Sequence, residues 1–165
     1  MAQVNQKIIL PINIITLSDV SGLIRELENI DNFFLQVKVR RAGDSITLPK
    51  SSKSMEDLLQ YNKLSLLREV DREKLKLMLM TIRSKAPKIH ISFSADPTRA
   101  FLEKITAWFR EEINPLILLQ VGLQPNIGAG FTLRTSNHFY DFSLRQYVED
   151  KKHLLLESLI GTIKQ

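Results

Sequence analysis

The stretch Lys88-Ile89-His90-Ile91-Ser92-Phe93-Ser94-Ala95 decides the fold class. It alternates strictly, with Ile89, Ile91 and Phe93 on one face and His90, Ser92 and Ser94 on the other, which is the period-two pattern of a half-buried strand. Asp96-Pro97 follows and predicts an N-cap with proline at the first helical position, where its missing N–H costs nothing. The helix after it carries Phe101, Leu102, Ile105, Trp108, Phe109 and Ile113, a wide apolar stripe suited to face a sheet. Pro115 ends that helix. Residues 116–123 (LILLQVGL) then read as a second strand, and their mostly apolar character predicts a central place in the sheet. Residues 125–130 (PNIGAG) form a turn, and residues 131–135 and 138–142 flank Ser136-Asn137 as a tight hairpin. Ser143 is placed to cap a last helix carrying Leu144, Tyr147, Val148, Leu155, Leu159 and Ile160. Residues 87–165 therefore read β-α-β-β-β-α, an open sheet with helices against it.

Working back from Ala86-Pro87, where the pattern breaks, residues 1–86 read as a small helical region. Ser18 can N-cap a helix with apolar positions Val20, Leu23, Ile24, Leu27, Ile30, Phe34 and Val37, and Gly43 supplies the stop. Residues 44–54 (DSITLPKSSKS) read as a loop or linker. Ser54 lies three residues before Asp57, a capping box for a short helix over 55–61. A further helix over 71–85 has the stripe Leu75, Met78, Leu79 and Ile82, with Met78 and Met80 as packing residues. The expected class is α+β, in two parts: a helical region over 1–86 and a sheet domain over 87–165.

Composition narrows the function classes. The chain has 165 residues and no cysteine, which excludes a disulfide framework and cysteine-based zinc or iron–sulfur sites. Three histidines (His90, His138 and His153) cannot supply a typical zinc site without carboxylates. The longest apolar run near the start, residues 8–15, contains Pro11 and Asn13 and falls far short of the ~20 residues that span a bilayer. It also lacks a basic flank and a cleavage site, so neither a signal peptide nor a membrane span is read. The expectation is a soluble, intracellular protein. Net charge is +5 and the pI is about 9.5, the crude cue for a nucleic-acid binder. The distribution weakens that cue, because only Lys38, Arg40 and Arg41 cluster tightly. A solvated basic face accounts for it better. A small basic nucleic-acid-binding α+β protein stays as the alternative, and it needs Lys38, Arg40, Arg41, Lys50 and Lys53 to converge beside an exposed aromatic.

No group of residues reads as an active site. Gly128-Ala129-Gly130 joins two strands instead of opening a helix, so it reads as a turn and not as a phosphate cradle. His90, Ser92 and Asp96 lie along one strand and its exit, without the base–nucleophile geometry that nucleophilic catalysis needs. Glu111 and Glu112 are adjacent on a helix and diverge, and His138 and His153 read as surface residues. No catalytic residue, cofactor or metal site is expected, and no small-molecule substrate.

Several motifs in fixed order carry a family resemblance. The turn Pro125-Asn126-Ile127-Gly128-Ala129-Gly130 is followed, eleven residues beyond Gly130, by Asp141, with Ser143, Leu144 and Arg145 after it. Upstream, residues 58–67 (LLQYNKLSLL) combine an apolar run, Asn, a basic residue and Leu-Leu. In this order and spacing, over about residues 55–165, the chain resembles the ATP synthase delta subunit family, which includes the mitochondrial oligomycin-sensitivity-conferring protein. Two departures stand out: Ala129-Gly130 replaces the usual Gly-Gly, and the N-terminal part resembles a reduced or divergent form of the family's helical bundle. The resemblance implies a non-catalytic stator subunit in the peripheral stalk of a proton-translocating ATP synthase, bound peripherally at the cytoplasmic side of the membrane. It implies stalk b subunits as partners of the C-terminal domain and alpha subunits as partners of the N-terminal region. Pro125, Gly128, Gly130, Asp141, Ser143 and Arg145 are the signature positions. Asp141 sits near a positive helix end, and Arg145 can reach back to it or out to a partner's carboxylate. Trp108, Phe109, Tyr147, Leu155 and Leu159 can serve either as core or as partner contacts.

Overall fold

A computed structural model describes residues 8–39, 49–135, 137–145, 149, 151 and 152. Helices α1 (Leu17–Val39), α2 (Lys53–Asn62) and α3 (Glu69–Lys85) come first. Strand β1 (Lys88–Phe93), helix α4 (Arg99–Glu112), strand β2 (Leu118–Leu123), a 3-10 turn (Pro125–Ile127) and strands β3 (Gly130–Arg134) and β4 (Phe139–Ser143) follow. The protein is α+β. No helix among the described residues is long and apolar enough to cross a membrane. The chain divides into two compact units. One holds Met1–Pro87 with Glu103–Leu118, and the other Lys88–Leu102 with Leu119–Gln165, so the second half of α4 groups with the N-terminal helices.

In the helical unit, α1 begins two residues earlier than its first serine suggests. Thr16 Oγ1 accepts the Asp19 N–H (3.2 Å) and Asp19 Oδ2 accepts the Thr16 N–H (2.8 Å), a reciprocal capping box. Thr16, and not Ser18, is therefore the cap. Val20, Leu23, Ile24, Leu27 and Ile30 are all buried, one stripe at helical spacing. They meet Leu75, Leu79 and Ile82 of α3, Met55 and Leu58 of α2, and Leu10 and Ile14 of the entering segment in one core. Helix α2 is capped by Ser52, whose Oγ accepts the Met55 N–H (3.2 Å); Ser52 itself donates to both oxygens of Glu26. The expected Ser54–Asp57 box does not form, because the helix has already begun at Lys53. Asp57 instead accepts from the Asn13 amide (2.7 Å). Met78 is half-buried, but Met80 faces solvent, off the α3 stripe.

In the sheet unit the strand order is β2-β1-β3-β4. Strand β1 pairs with β3 antiparallel, Ile91 opposite Leu133 and Phe93 opposite Phe131; β3 pairs with β4 antiparallel, Phe131 opposite Phe142. Leu118 N–H donates to Pro87 O and Gln124 N–H to Phe93 O, a constant offset that makes β1 and β2 parallel, as a strand–helix–strand crossover requires. Among the described strands β2 is therefore an edge, and the expectation that it is central is wrong. Its apolar run misled, because Ile117, Leu118 and Leu119 are buried at its entrance while Leu123 is 59% exposed at its exit. The alternation of β1 holds, with Ile89, Ile91 and Phe93 buried together. Ser92, on the polar face, is also buried, flanked by the side-chain-free Gly122 and by Thr132. The cap before α4 is Thr98, whose Oγ1 accepts the Phe101 N–H (3.3 Å). Asp96-Pro97 lies in the preceding coil, because Pro97 comes two residues before the first helical residue and not at it.

Candidate partner-binding surfaces

Two features could carry recognition: the corner joining β3 and β4 to the chain that follows, and the outer face of α4. At the corner, Pro125 opens the 3-10 turn and Ile127 is buried beneath it. Gly128 follows at φ 82° and Gly130 at φ 105°, backbone that side chains other than glycine's adopt at a cost. At Gly130 the space is also closed, since a Cβ would overlap the carbonyl of Phe142. Glycine there lets β3 approach β4 closely enough for Leu144 N–H to reach Ala129 O (2.7 Å). The turn before β3 and the residues that end β4, the two ends of one hairpin, thus meet at one point.

Within the second segment, Asp141 Oδ1 accepts the Ser143 N–H (2.8 Å), a local side-chain turn that closes the strand. Ser143 is the buried last residue of β4, directly before the helical residues Leu144 and Arg145. Arg145 does not reach back to Asp141. Its guanidinium pairs one turn ahead with Glu149 (3.0 Å), both groups largely in solvent, at the (i, i+4) spacing that favours such pairs. Tyr147, Leu155 and Leu159 lie outside the described residues, as do Val148 and Ile160.

On α4 the expected stripe splits. Phe109 is buried, whereas Trp108 is 57% and Ile113 60% exposed, and Phe101 is held at the exposed margin against Phe93 (ring centroids 5.9 Å). Trp108 is therefore a surface residue. The sheet unit also carries an aromatic row. Phe93, Phe131 and Phe142 follow one another at 5.9 and 5.1 Å, and Tyr140 stacks on Phe142 at 6.3 Å. It runs from the buried Phe93 to Tyr140 and Phe142, which face solvent. His90 Nε2 and Ser92 Oγ lie 3.3 Å apart beside Gly122.

The helical unit contains two arginines that the reading of the sequence missed. Arg110 donates to the carbonyls of Leu10 (3.3 Å), Pro11 (2.8 Å), Ile14 and Ile117 (3.1 Å), tying the entering segment to α4. Burial pushes its guanidinium down to about 10, still charged at neutral pH, and the four carbonyls offset the desolvation that this charge suffers. Arg72 is 5% exposed; it binds Asp31 (2.6 Å) and the Leu66 carbonyl (2.8 Å) and lies over the Phe34 ring at 4.3 Å. The signal for Arg72 was present in its spacing from Leu75, Leu79 and Ile82, which places it on the buried stripe. Arg110 carried no such signal, because carbonyls leave no mark in a side-chain pattern.

A groove of about 470 Å³ runs beside Arg72, lined by Glu28, Asp31, Lys38, Glu69 and Lys76. Its cations are matched by carboxylates: Lys38 with Glu69 (3.0 Å) and Lys76 with Glu28 (3.8 Å). The hydrogen bond and charge of Lys38 hold the Glu69 carboxyl below its ordinary range. Lys38 is thus engaged, and Arg40 and Arg41 of the basic cluster lie outside the described residues. A second hollow of about 400 Å³ on α3 is mixed in character, with Ile8, Val70, Leu77 and Met78 beside Glu73, Lys74 and Thr81. No family model matches the chain, and no curated protein matches it.

Proposed function

We propose that this chain is a non-catalytic connector of the ATP synthase delta type, a peripheral-stalk subunit that joins the catalytic head to the b subunits of the stalk. The observation that carries this reading is the corner at Gly130. The Pro125–Gly130 turn and the Asp141–Arg145 segment, whose order and spacing resemble those of the delta family, pack against each other there through a glycine that admits no side chain. In this role the subunit resists torque and performs no bond-making step. It needs a stiff body and apolar surface for partner helices. The exposed Leu67, Val70 and Leu77 of the helical unit are assigned to the alpha subunits, and Trp108 to the b subunits. Peripheral attachment at the cytoplasmic side of the membrane then comes through the b subunits.

Trp108 is the only tryptophan in the chain, so it reports its own surroundings. Titration of the full chain with a soluble fragment of the stalk b subunit is expected to shift Trp108 emission to the blue. Trp108→Ala is expected to weaken binding by about tenfold or more, as for an exposed aromatic anchor. A b fragment that binds without changing the emission contradicts the assignment of Trp108. One that shows no binding by calorimetry contradicts the connector reading.

A further inference from the structure

We propose that the outer edge of β4 is a strand-pairing surface for a second copy of this chain, held closed by the carboxylate of Asp141. The inference is independent of the stator reading and rests on the hydrogen-bond phase of the hairpin. Two bonds bracket the β3–β4 ladder, Thr135 N–H to His138 O (2.9 Å) and Leu144 N–H to Ala129 O (2.7 Å). Hydrogen-bonded pairs alternate along an antiparallel ladder. Residues 138, 140, 142 and 144 therefore turn their backbone groups toward β3, and Phe139, Asp141 and Ser143 turn theirs outward. Among the described strands β4 is the last in the sheet order, and Phe139, Tyr140 and Phe142 are all substantially exposed on it. An edge of this kind, aromatic and without a lysine or proline, is a template for another strand.

A strand that fits this edge is the edge itself. Related by a two-fold axis, two β4 strands set Phe139 opposite Ser143 of the other copy and Tyr140 opposite Phe142. That arrangement continues the stacked row Phe131–Phe142–Tyr140 into the second molecule. Asp141 opposes it twice. In this register the two Asp141 side chains face each other directly, about 5 Å apart at Cβ, and like charges so placed are destabilising. The same carboxylate already accepts the Ser143 N–H, one of the outward donors that the pairing needs. A register shifted by two residues either calls on that Ser143 N–H again or leaves only Phe139 and Asp141 in the ladder. The aspartate of the signature thus has a second task beside ending the strand: it keeps an otherwise self-complementary edge single.

The test is the mass of the full chain in solution as its concentration is raised. The wild type is expected to hold the single-chain mass of 19.0 kDa throughout, and Asp141→Thr to rise to twice that mass. Adding Phe139→Pro, which removes an outward N–H at a position where an edge tolerates proline, is expected to restore the single-chain mass. The proposal is overturned if folded Asp141→Thr keeps the single-chain mass at every concentration, or if its dimer survives Phe139→Pro. A wild-type dimer that Phe139→Pro dissociates overturns it as well. Should Asp141→Thr fail to fold by circular dichroism, Asp141→Asn takes its place. It keeps the acceptor and drops the charge, and is expected to dimerise more weakly; a constant single-chain mass there counts equally against the proposal.

Discussion

The helical unit and the sheet unit treat their apolar surface differently. In the helical unit α1, α2, α3 and the entering segment close around one core in which Ile14, Val20, Leu27, Met55, Leu58, Leu75 and Leu79 are fully buried. Its two buried or half-buried arginines face inward and are consumed by carbonyls and by Asp31. In the sheet unit burial fades across the sheet, from Ile91 at 0% through Leu133 at 8% to Tyr140 at 47%. One unit is stabilised by what it hides. The other is stabilised at its corner and leaves an aromatic margin open. Polar anchoring follows the same division: side-chain bonds to backbone knit the helical unit, and a glycine and an aspartate shape the corner of the sheet.

The comparison is broken most easily by truncation. Leu79→Ala, at a site with no exposure, is expected to cost about 3–4 kcal/mol in denaturant unfolding, from lost transfer energy and the cavity left behind. Phe139→Ala, at 62% exposure, is expected to cost less than about 0.5 kcal/mol. Equal losses at the two positions would mean that β4 is covered and the contrast false. At the corner, Gly130→Ala is expected to cost about 3 kcal/mol, since positive φ and overlap with the Phe142 carbonyl add. Gly128→Ala has strained φ but open space around it and is expected to cost about 1 kcal/mol. A Gly130→Ala protein as stable as Gly128→Ala would show that the two signature segments do not press together.

The smallest effect concerns the surface pair Lys38–Glu69. The folded-state pKa of Glu69 is lowered, so the folded protein holds fewer protons there than the unfolded chain. The stabilisation is present above the ordinary glutamate range and is lost as pH falls through the depressed value. Glu69→Gln is expected to remove a slight acid-side loss of stability, and added salt to remove the same part from the wild type. An unchanged acid limb in Glu69→Gln would show that the pair contributes nothing.

Much of the fold was legible in the sequence because hydrophobic period is a strong signal. The alternation over Ile89, Ile91 and Phe93 and the stripe over Val20 to Ile30 are both present in the structure. Element boundaries and caps were less legible. Three polar residues within reach of each helix start, such as Thr16, Ser18 and Asp19, compete for one N-cap, and pattern alone does not choose between them. Strand order was misread at β2 because an apolar run records burial, and burial at Ile117–Leu119 comes with only one flanking strand. Of the candidate surfaces, the corner was visible as spacing, but its cause, a carbonyl where a Cβ would sit, is a property of two chain segments at once. The split of Trp108 from Phe109 was not legible, since both lie on the apolar side of the same helix and only tertiary packing separates them.

The proposed connector role is tested most directly by tagging the chain at its C-terminus and purifying it from a gentle detergent extract of its native membrane. Alpha, beta and b-type stalk subunits are expected to come with it in fixed proportion. A chain recovered without them, or together with nucleic acid that salt releases, would contradict the role and leave the Gly130 corner as a feature of the fold alone.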